Sequence, residues 1–174
     1  SFEAGHNRLV RVRNSWLKLF QDLGYSPRFI SADELTQFGK TQPGNAVLVL
    51  PQSLALADEE VAAVENFCRT GSGGVFCDGT PGAFNEHGRL RATNRLERLF
   101  PATKSTAASF VSWSPPGSTG ATTRQTDSKP GDIAQFATDR LRGTPRTEWT
   151  DWARAHLRLP RAVTVPAEAQ VRIH

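Results

Sequence analysis

Five consecutive apolar residues, Ala46 to Leu50, limit the possible folds of this chain more than any other feature. A strand that is apolar at every position, rather than at alternate positions, is typical of a parallel strand with both faces covered. Pro51 ends the run, because proline has no backbone N–H to donate to a sheet. Val75-Phe76-Cys77 is a shorter apolar run and predicts another strand.

Amphipathic helices are expected on either side of these strands. Apolar residues recur at three- and four-residue steps from Gly5 to Leu23, and Gly24 follows as a stop signal. Ser31 and Glu34 have the spacing of a capping box, which predicts a short helix ending near residue 39. Further helices are expected over Asp58–Thr70, Thr93–Leu99, Asp132–Leu141 (with Asp132 as its cap) and Glu148–Leu157.

The alternation of strands and helices indicates βαβ units. The expected fold is therefore α/β: three layers, with a mainly parallel sheet covered by helices on both faces. Residues 101–131 are rich in Ser, Thr, Gly and Pro, and Gly117 to Lys129 is expected to be a surface loop. Other short strands are predicted at Arg28-Phe29-Ile30, Ser109–Trp113, Val163–Val165 and Val171–Ile173.

Composition excludes several classes of function. The net charge of +4 is dispersed over the 174 residues without a basic run of five, so nucleic-acid binding is not expected. No stretch of about 18 apolar residues suggests a membrane span. Cys68 and Cys77 have no metal-site spacing, and Gly71–Gly74 lies between a helix and a strand, the reverse of a phosphate loop. Neither a metal nor a cofactor is expected, and localisation stays open.

The pattern begins with a helix, whereas βαβ folds begin with a strand, and the chain contains no Met. The first strand is therefore expected upstream, and residues 1–174 are expected to be a single-domain segment of a larger protein.

Several motifs resemble those of a known family. The most specific combines an apolar strand, a proline, a small apolar spacer and an acidic helix start. The pattern resembles the glutamine amidotransferase-like domain of glycoside hydrolases related to family 42 β-galactosidases, often called the β-galactosidase trimerisation domain. The similarity covers residues 7–100 and is weaker over 101–174. Its segments are Asp22–Tyr25, Phe29–Ser31, Val47–Pro51, Leu54–Glu60, Gly73–Val75 and Asp78–Gly82.

This resemblance implies a flavodoxin-like fold of the class I glutamine amidotransferase type. In that family the domain follows a catalytic barrel, is itself non-catalytic and mediates subunit contacts. The expected function is therefore a non-catalytic module of a glycoside hydrolase-like protein. Its expected partners are further copies of itself and neighbouring domains of the same chain. Contacts are expected at the exposed flanks of the first helix and at the helix that carries Trp149 and Trp152, with these two tryptophans as the interface residues.

A first alternative is a thiol-dependent hydrolase or amidotransferase that uses Cys77. In active amidotransferases the nucleophile lies on a tight turn after a strand, and Cys77 with Gly79 lies at a comparable place. Asp78 would raise the pKa of the neighbouring thiol, and no His-x-Glu pair follows late in the chain. Cys77 is therefore expected to be a small buried residue of the core.

A second alternative is a carbohydrate-binding module. Open α/β sheets bind ligands at the carboxyl ends of their strands, where the loop from residue 78 to residue 89 is expected. Polar side chains in this loop could contact a sugar or a partner chain. The candidate residues are Asp78, Thr80, Glu86, His87 and Arg89.

Overall fold

A mixed sheet lies at the centre of the computed structural model, which describes residues 2–41, 46–69, 74–100, 107–113, 124–144 and 146–157. Its four described strands lie in chain order across the sheet. They are β1 (Leu48–Leu50), β2 (Gly74–Asp78), β3 (Ala107–Trp113) and β4 (Arg124–Asp132).

The pairing of these strands corrects the expectation of a mainly parallel sheet. β1 and β2 are parallel, with Leu48 opposite Val75 and Leu50 opposite Cys77. β2–β3 and β3–β4 are antiparallel, so the described part contains one parallel pair and two antiparallel pairs. The α/β interpretation holds in its coarser form: helices and strands are mixed, with a small parallel pair.

The described helices follow the predicted ones closely. Helix α1 begins three residues before its predicted start, and the segment predicted as a helix over Thr93–Leu99 forms only a 3-10 turn. Asp132 acts as predicted, because its Oδ1 accepts the Ala134 N–H at 3.0 Å, although the helix itself begins at Ala134. The elements are α1 (Phe2–Asp22), α2 (Ala32–Thr41), α3 (Asp58–Arg69), the 3-10 turn (Arg95–Arg98), α4 (Ala134–Leu141) and α5 (Thr147–His156).

Two strand and loop predictions are wrong. Arg28-Phe29-Ile30 is not a strand, because no described strand pairs with it. Residues 124–129 of the expected loop from Gly117 to Lys129 belong to strand β4, whose backbone pairs with β3 although its composition is polar. Residues 117–123 of that loop lie outside the described residues. The predicted strands at Val163–Val165 and Val171–Ile173 lie outside the described residues.

Two hydrophobic clusters cover opposite faces of the sheet, because successive strand residues point to opposite sides. Val75 and Cys77 belong to one cluster with residues of α2 and α3, and we call this side the α3 face. Phe76 belongs to the other cluster with residues of α1, α4 and α5, which we call the α1 face. β2 is therefore buried along its whole length, as its apolar sequence predicts.

Candidate functional site

Cys77 lies in the α3-face cluster with only 1% of its surface exposed. Burial is the main cause that raises the pKa of its thiol far above the usual value, and the Asp78 carboxylate and the Cys68 thiol raise it further. A thiol that stays protonated is a poor nucleophile, because the thiolate is the attacking species. The prediction that Cys77 is a buried core residue is therefore confirmed.

The imidazoles whose side chains the structure describes lie away from this thiol. His156 packs against Phe76 and Trp152, on the α1 face of the sheet, whereas Cys77 points to the α3 face. His87 lies on an exposed turn next to Glu86. Neither of these two imidazoles is therefore placed as a base for Cys77, and the ionisable groups that act on its thiol are Asp78 and Cys68.

Asp78, the first of the predicted loop residues, points into the protein and is fully buried. Its Oδ1 accepts the indole N–H of Trp16 at 2.7 Å and the backbone N–H of Gln52 at 3.3 Å. Its Oδ2 accepts the side-chain amide of Gln52. Burial raises the pKa of Asp78, while the three hydrogen bonds and the nearby Arg8 guanidinium oppose that shift. These contacts connect α1 and the loop after β1 to the end of β2.

Gln52 adopts a backbone conformation that few residues other than glycine adopt. Its φ angle is 47°, in the left-handed region. Such a residue is strained by on the order of 1 kcal/mol and persists only where its surroundings hold it. The two hydrogen bonds to Asp78 supply that restraint, because they fix both the backbone and the side chain of Gln52.

The rest of the predicted ligand loop is a tight turn on the surface. The Asn85 side-chain oxygen accepts the backbone N–H groups of His87 and Arg89, at 3.1 and 2.9 Å. Glu86, His87 and Arg89 are exposed, with an ion-pair distance of 3.4 Å between Glu86 and His87. The structure thus separates the five candidates: Asp78 is buried, Thr80 is half-buried, and the other three are in solvent. Whether the exposed three contact a sugar or a partner stays a prediction.

Trp149 and Trp152 do not form the predicted interface. Their exposed fractions are 3% and 9%, because both pack inside the α1-face cluster. Trp152 contacts Phe76 edge-on at 5.3 Å, and Trp149 contacts Phe136 at 6.4 Å. Buried rings are not available to a second chain or to a sugar, so these residues stabilise the fold.

Sequence reasoning missed Trp16 and Gln52 as partners of Asp78. The three- and four-residue spacing of apolar residues predicts only that Trp16 lies on the apolar face of the first helix. An indole carries an N–H that needs an acceptor when it is buried, and this signal could have suggested a polar partner for Trp16. Nothing in the local sequence marks Gln52 as a partner of Asp78, although Gln52 and Ser53 are the two polar residues of the loop from residue 51 to residue 57.

No family model, curated protein or solved structure matches this chain significantly. None of the helices in the described part combines the length and the apolar character needed to cross a bilayer. Within the same part, no group of three or more His, Cys, Asp or Glu side chains is arranged to hold a metal ion.

Proposed function

We propose that this chain is a non-catalytic module of the glutamine amidotransferase-like type that mediates assembly within a glycoside hydrolase-like protein. The observation that carries the non-catalytic part is the state of Cys77. Its thiol is buried, its pKa is raised, and no described imidazole lies beside it. A buried thiol held in its protonated form can support packing but not nucleophilic attack.

The finer fold assignment belongs to the same proposal. We infer a three-layer, flavodoxin-like domain from the distribution of the helices. α1, α4 and α5 contribute to the cluster on one face of the sheet, and α2 and α3 contribute to the cluster on the other. The antiparallel β3 and β4 depart from a fully parallel arrangement and lie together at one side of the sheet. They do not interrupt the parallel pair that carries Cys77.

The assembly part is supported by apolar side chains that α1 leaves on its outer surface. Leu9 and Val10 are 36% and 39% exposed, whereas Val12 and Trp16 of the same helix are buried. Exposed apolar residues that adjoin one another are a feature of protein–protein contacts. Of the two contact surfaces expected from the sequence, this flank of α1 is the one we propose as the site of subunit or domain contact, because Trp149 and Trp152 are buried.

Thiol labelling tests the non-catalytic part. Native protein treated with a thiol-specific disulfide reagent is expected to react at Cys77 roughly a thousandfold or more slowly than unfolded protein, because only the rare open state exposes it. A Cys68→Ala variant assigns the signal to Cys77, and a Cys77→Ala variant gives the background. Fast, saturable labelling of the native Cys68→Ala variant would show an activated nucleophile and overturn this part.

Light scattering over a range of concentrations tests the assembly part. Self-association is expected, and Val10→Asp is expected to weaken it by at least tenfold in Kd, because the substitution places a charge in the contact. Leu141→Asp is the matched control, since Leu141 is also apolar and is 89% exposed on α4. A wild-type chain that stays monomeric throughout, or equal effects of the two variants, would contradict the proposed surface.

A further inference from the structure

A long apolar groove of about 990 Å³ runs beside β1, the edge strand of the described sheet. The opposite wall of the groove is the extended segment 25–31, between α1 and α2. Phe29 in that wall is 63% exposed, although it is a large apolar side chain. An edge strand presents backbone N–H and C=O groups that can pair with another segment. The groove therefore offers an extended peptide both backbone partners and apolar contacts.

The apolar contacts lie on both faces of the groove. In the chain that leads through β1, Leu48 belongs to the α3-face cluster, whereas Val47 and Val49 pack against the α1-face cluster. The opposite wall shows the same division, because Ile30 packs against the α3-face cluster and Tyr25 against the α1-face cluster. An occupant of the groove must therefore be free of charge on both of its faces.

Helix α5 crosses the α1 face of the sheet and leads the chain to this groove. Near the start of the helix, Trp149 lies against the glycine of β4, and further along Trp152 contacts Phe76 of β2 at 5.3 Å. Leu157, which follows the helix, is itself part of the lining of the groove beside β1. The next residues, 158–174, lie outside the described part of the chain and follow directly from a residue in the groove.

Within that segment, one short stretch has the composition that the groove requires. Pro160 and Pro166 bracket residues 161–165, and prolines are found at the ends of strands because they cannot donate to a sheet. Val163 and Val165 would lie on one face of an extended chain, with an alanine and a threonine on the other. The charged residue of the stretch is an arginine at its first position, so neither face carries a charge in the middle.

The later part of the same segment has a different pattern. Residues 167–173 alternate strictly between apolar and polar, with Glu168, Gln170 and Arg172 at the polar positions. Such alternation is typical of a strand with one face in water, and it would place charges against an apolar wall of the groove. Residues 161–165 are therefore the better occupant.

The reach of the chain and the size of the groove agree with this choice. Residues 158–160 can span up to about 10 Å, at about 3.3 Å per residue, so the stretch begins within reach of Leu157. A strand of about five residues occupies roughly 800 Å³, from a strand spacing of about 4.8 Å, a layer thickness of about 10 Å and a length of about 17 Å. This estimate is close to the groove volume of about 990 Å³.

We propose that residues 161–165 of this chain bind in the groove as an extended segment that pairs with the free edge of β1. The edge of the sheet is then covered by residues that follow α5, and not by a strand that precedes α1. The proposal goes beyond the proposed function and does not depend on it.

Hydrogen exchange of backbone amides in the full chain tests this contact. When Val163→Asp and Val165→Asp are combined, the β1 amides that do not bond to β2 are expected to exchange at least about tenfold faster, because charges expel the segment. Val171→Asp is the matched control in the alternating stretch and is expected to change these rates by less than about twofold. No acceleration at β1, equal acceleration by the two variants, or acceleration at β2 as large as at β1 would overturn the proposal.

A nitroxide spin label gives an independent measure of proximity. With both native cysteines replaced by alanine, a label at Arg161→Cys is expected to broaden the amide signals of β1 and of segment 25–31. A label at Arg172→Cys should broaden them less. Equal broadening from the two sites, or none, would contradict the proposal. Broadening that appears only between labelled and unlabelled chains in a mixture would show that a second copy fills the groove, and would contradict it too.

Discussion

Asp78 shows how one side chain can organise three segments that are distant in sequence. Its carboxylate is fully buried, yet it accepts hydrogen bonds from Trp16 in α1 and from two groups of Gln52 in the loop after β1. Trp16 and Asp78 are separated by 62 residues, so the contact forms only when α1 docks on the sheet. Asp78, which the sequence suggested as a ligand-binding residue, therefore lies in the protein interior with its carboxylate hydrogen-bonded to other parts of the fold.

Removal of the Asp78 carboxylate should destabilise the fold strongly. Asp78→Ala leaves the Trp16 and Gln52 N–H groups buried without acceptors, and each such group costs about 1–3 kcal/mol. We therefore expect the free energy of unfolding in urea to fall by about 2–5 kcal/mol. The free energy of unfolding should fall clearly less in Asp78→Asn, because the asparagine keeps an acceptor oxygen for the indole. Equal losses in the two variants would show that the hydrogen bonds are not the cause.

The buried thiols make stability depend on alkaline pH. Burial raises the pKa of Cys68 to about 12 and raises that of Cys77 as well, whereas an unfolded thiol ionises at about 8.5. Above the pKa of the unfolded thiol, the unfolded chain loses a proton that the folded chain still holds. The thiols therefore contribute their full stability below that pKa, and this stability is lost as the pH rises above it. The free energy of unfolding should therefore fall from about pH 8.5 upward.

A double variant, Cys68→Ala with Cys77→Ala, isolates this contribution. Other groups titrate equally in both proteins, so the difference between them reports the thiols. We expect the urea-unfolding free energy of the wild type to decrease more steeply between about pH 8 and pH 11 than that of the variant. Parallel pH profiles would contradict the burial of the two thiols.

At the scale of elements, the contact between α1 and the β4–α4 junction depends on Asp132. Two hydrogen bonds join its carboxylate to Arg8, and the same carboxylate accepts the Ala134 N–H at the start of α4. The Arg8 guanidinium and these hydrogen bonds lower the pKa of Asp132 against the opposing effect of its partial burial. One side chain therefore caps a helix and ties it to another.

Substitutions at Asp132 should separate these two roles. Asp132→Ala removes both the cap and the ion pair and should lower the free energy of unfolding by about 1–3 kcal/mol. Asp132→Asn retains a capping oxygen but loses the charge, so its loss should be smaller. A double-mutant cycle with Arg8→Ala, followed by urea unfolding, measures the coupling. Full additivity would mean that the observed ion pair contributes nothing.

At the scale of the whole molecule, Phe76 joins the central strand to helices from both ends of the chain. Its ring is fully buried and lies 5.8 Å from Trp16 of α1 and 5.3 Å from Trp152 of α5. One aromatic side chain in β2 therefore contacts both α1 and α5 on this face of the sheet.

Truncation of Phe76 should cost about 3–5 kcal/mol, the usual loss for a buried Phe→Ala change. Val75→Ala, on the opposite face of the same strand, is the matched control. Its free energy of unfolding should fall less, because the deleted side chain is smaller. If Phe76→Ala does not fold, Phe76→Leu should fold with an intermediate loss. Urea unfolding measures all three. A loss at Phe76 no larger than that at Val75 would argue against the aromatic cluster as the main contact.

Local sequence patterns predicted most elements well, and the reason is that helix periodicity and continuous apolar runs depend on neighbouring residues. α3 and α5 lie within one residue of their predicted limits, and β2 is buried as expected. The errors arose where pairing between distant segments decides the structure. β4 is polar and Arg28-Phe29-Ile30 contains two large apolar residues, yet only β4 is a strand, because β3 provides its partner.

The sequence by itself determined most of the helical segments and the burial of β2 on both faces, and hence that Cys77 lies in the core. The tertiary structure decided how the strands are oriented, which residues face Asp78, and that Trp149 and Trp152 point inward. The physical reason is that secondary structure follows from the chemistry of adjacent residues, whereas pairing, hydrogen-bond partners and exposure depend on segments that meet only in the folded chain.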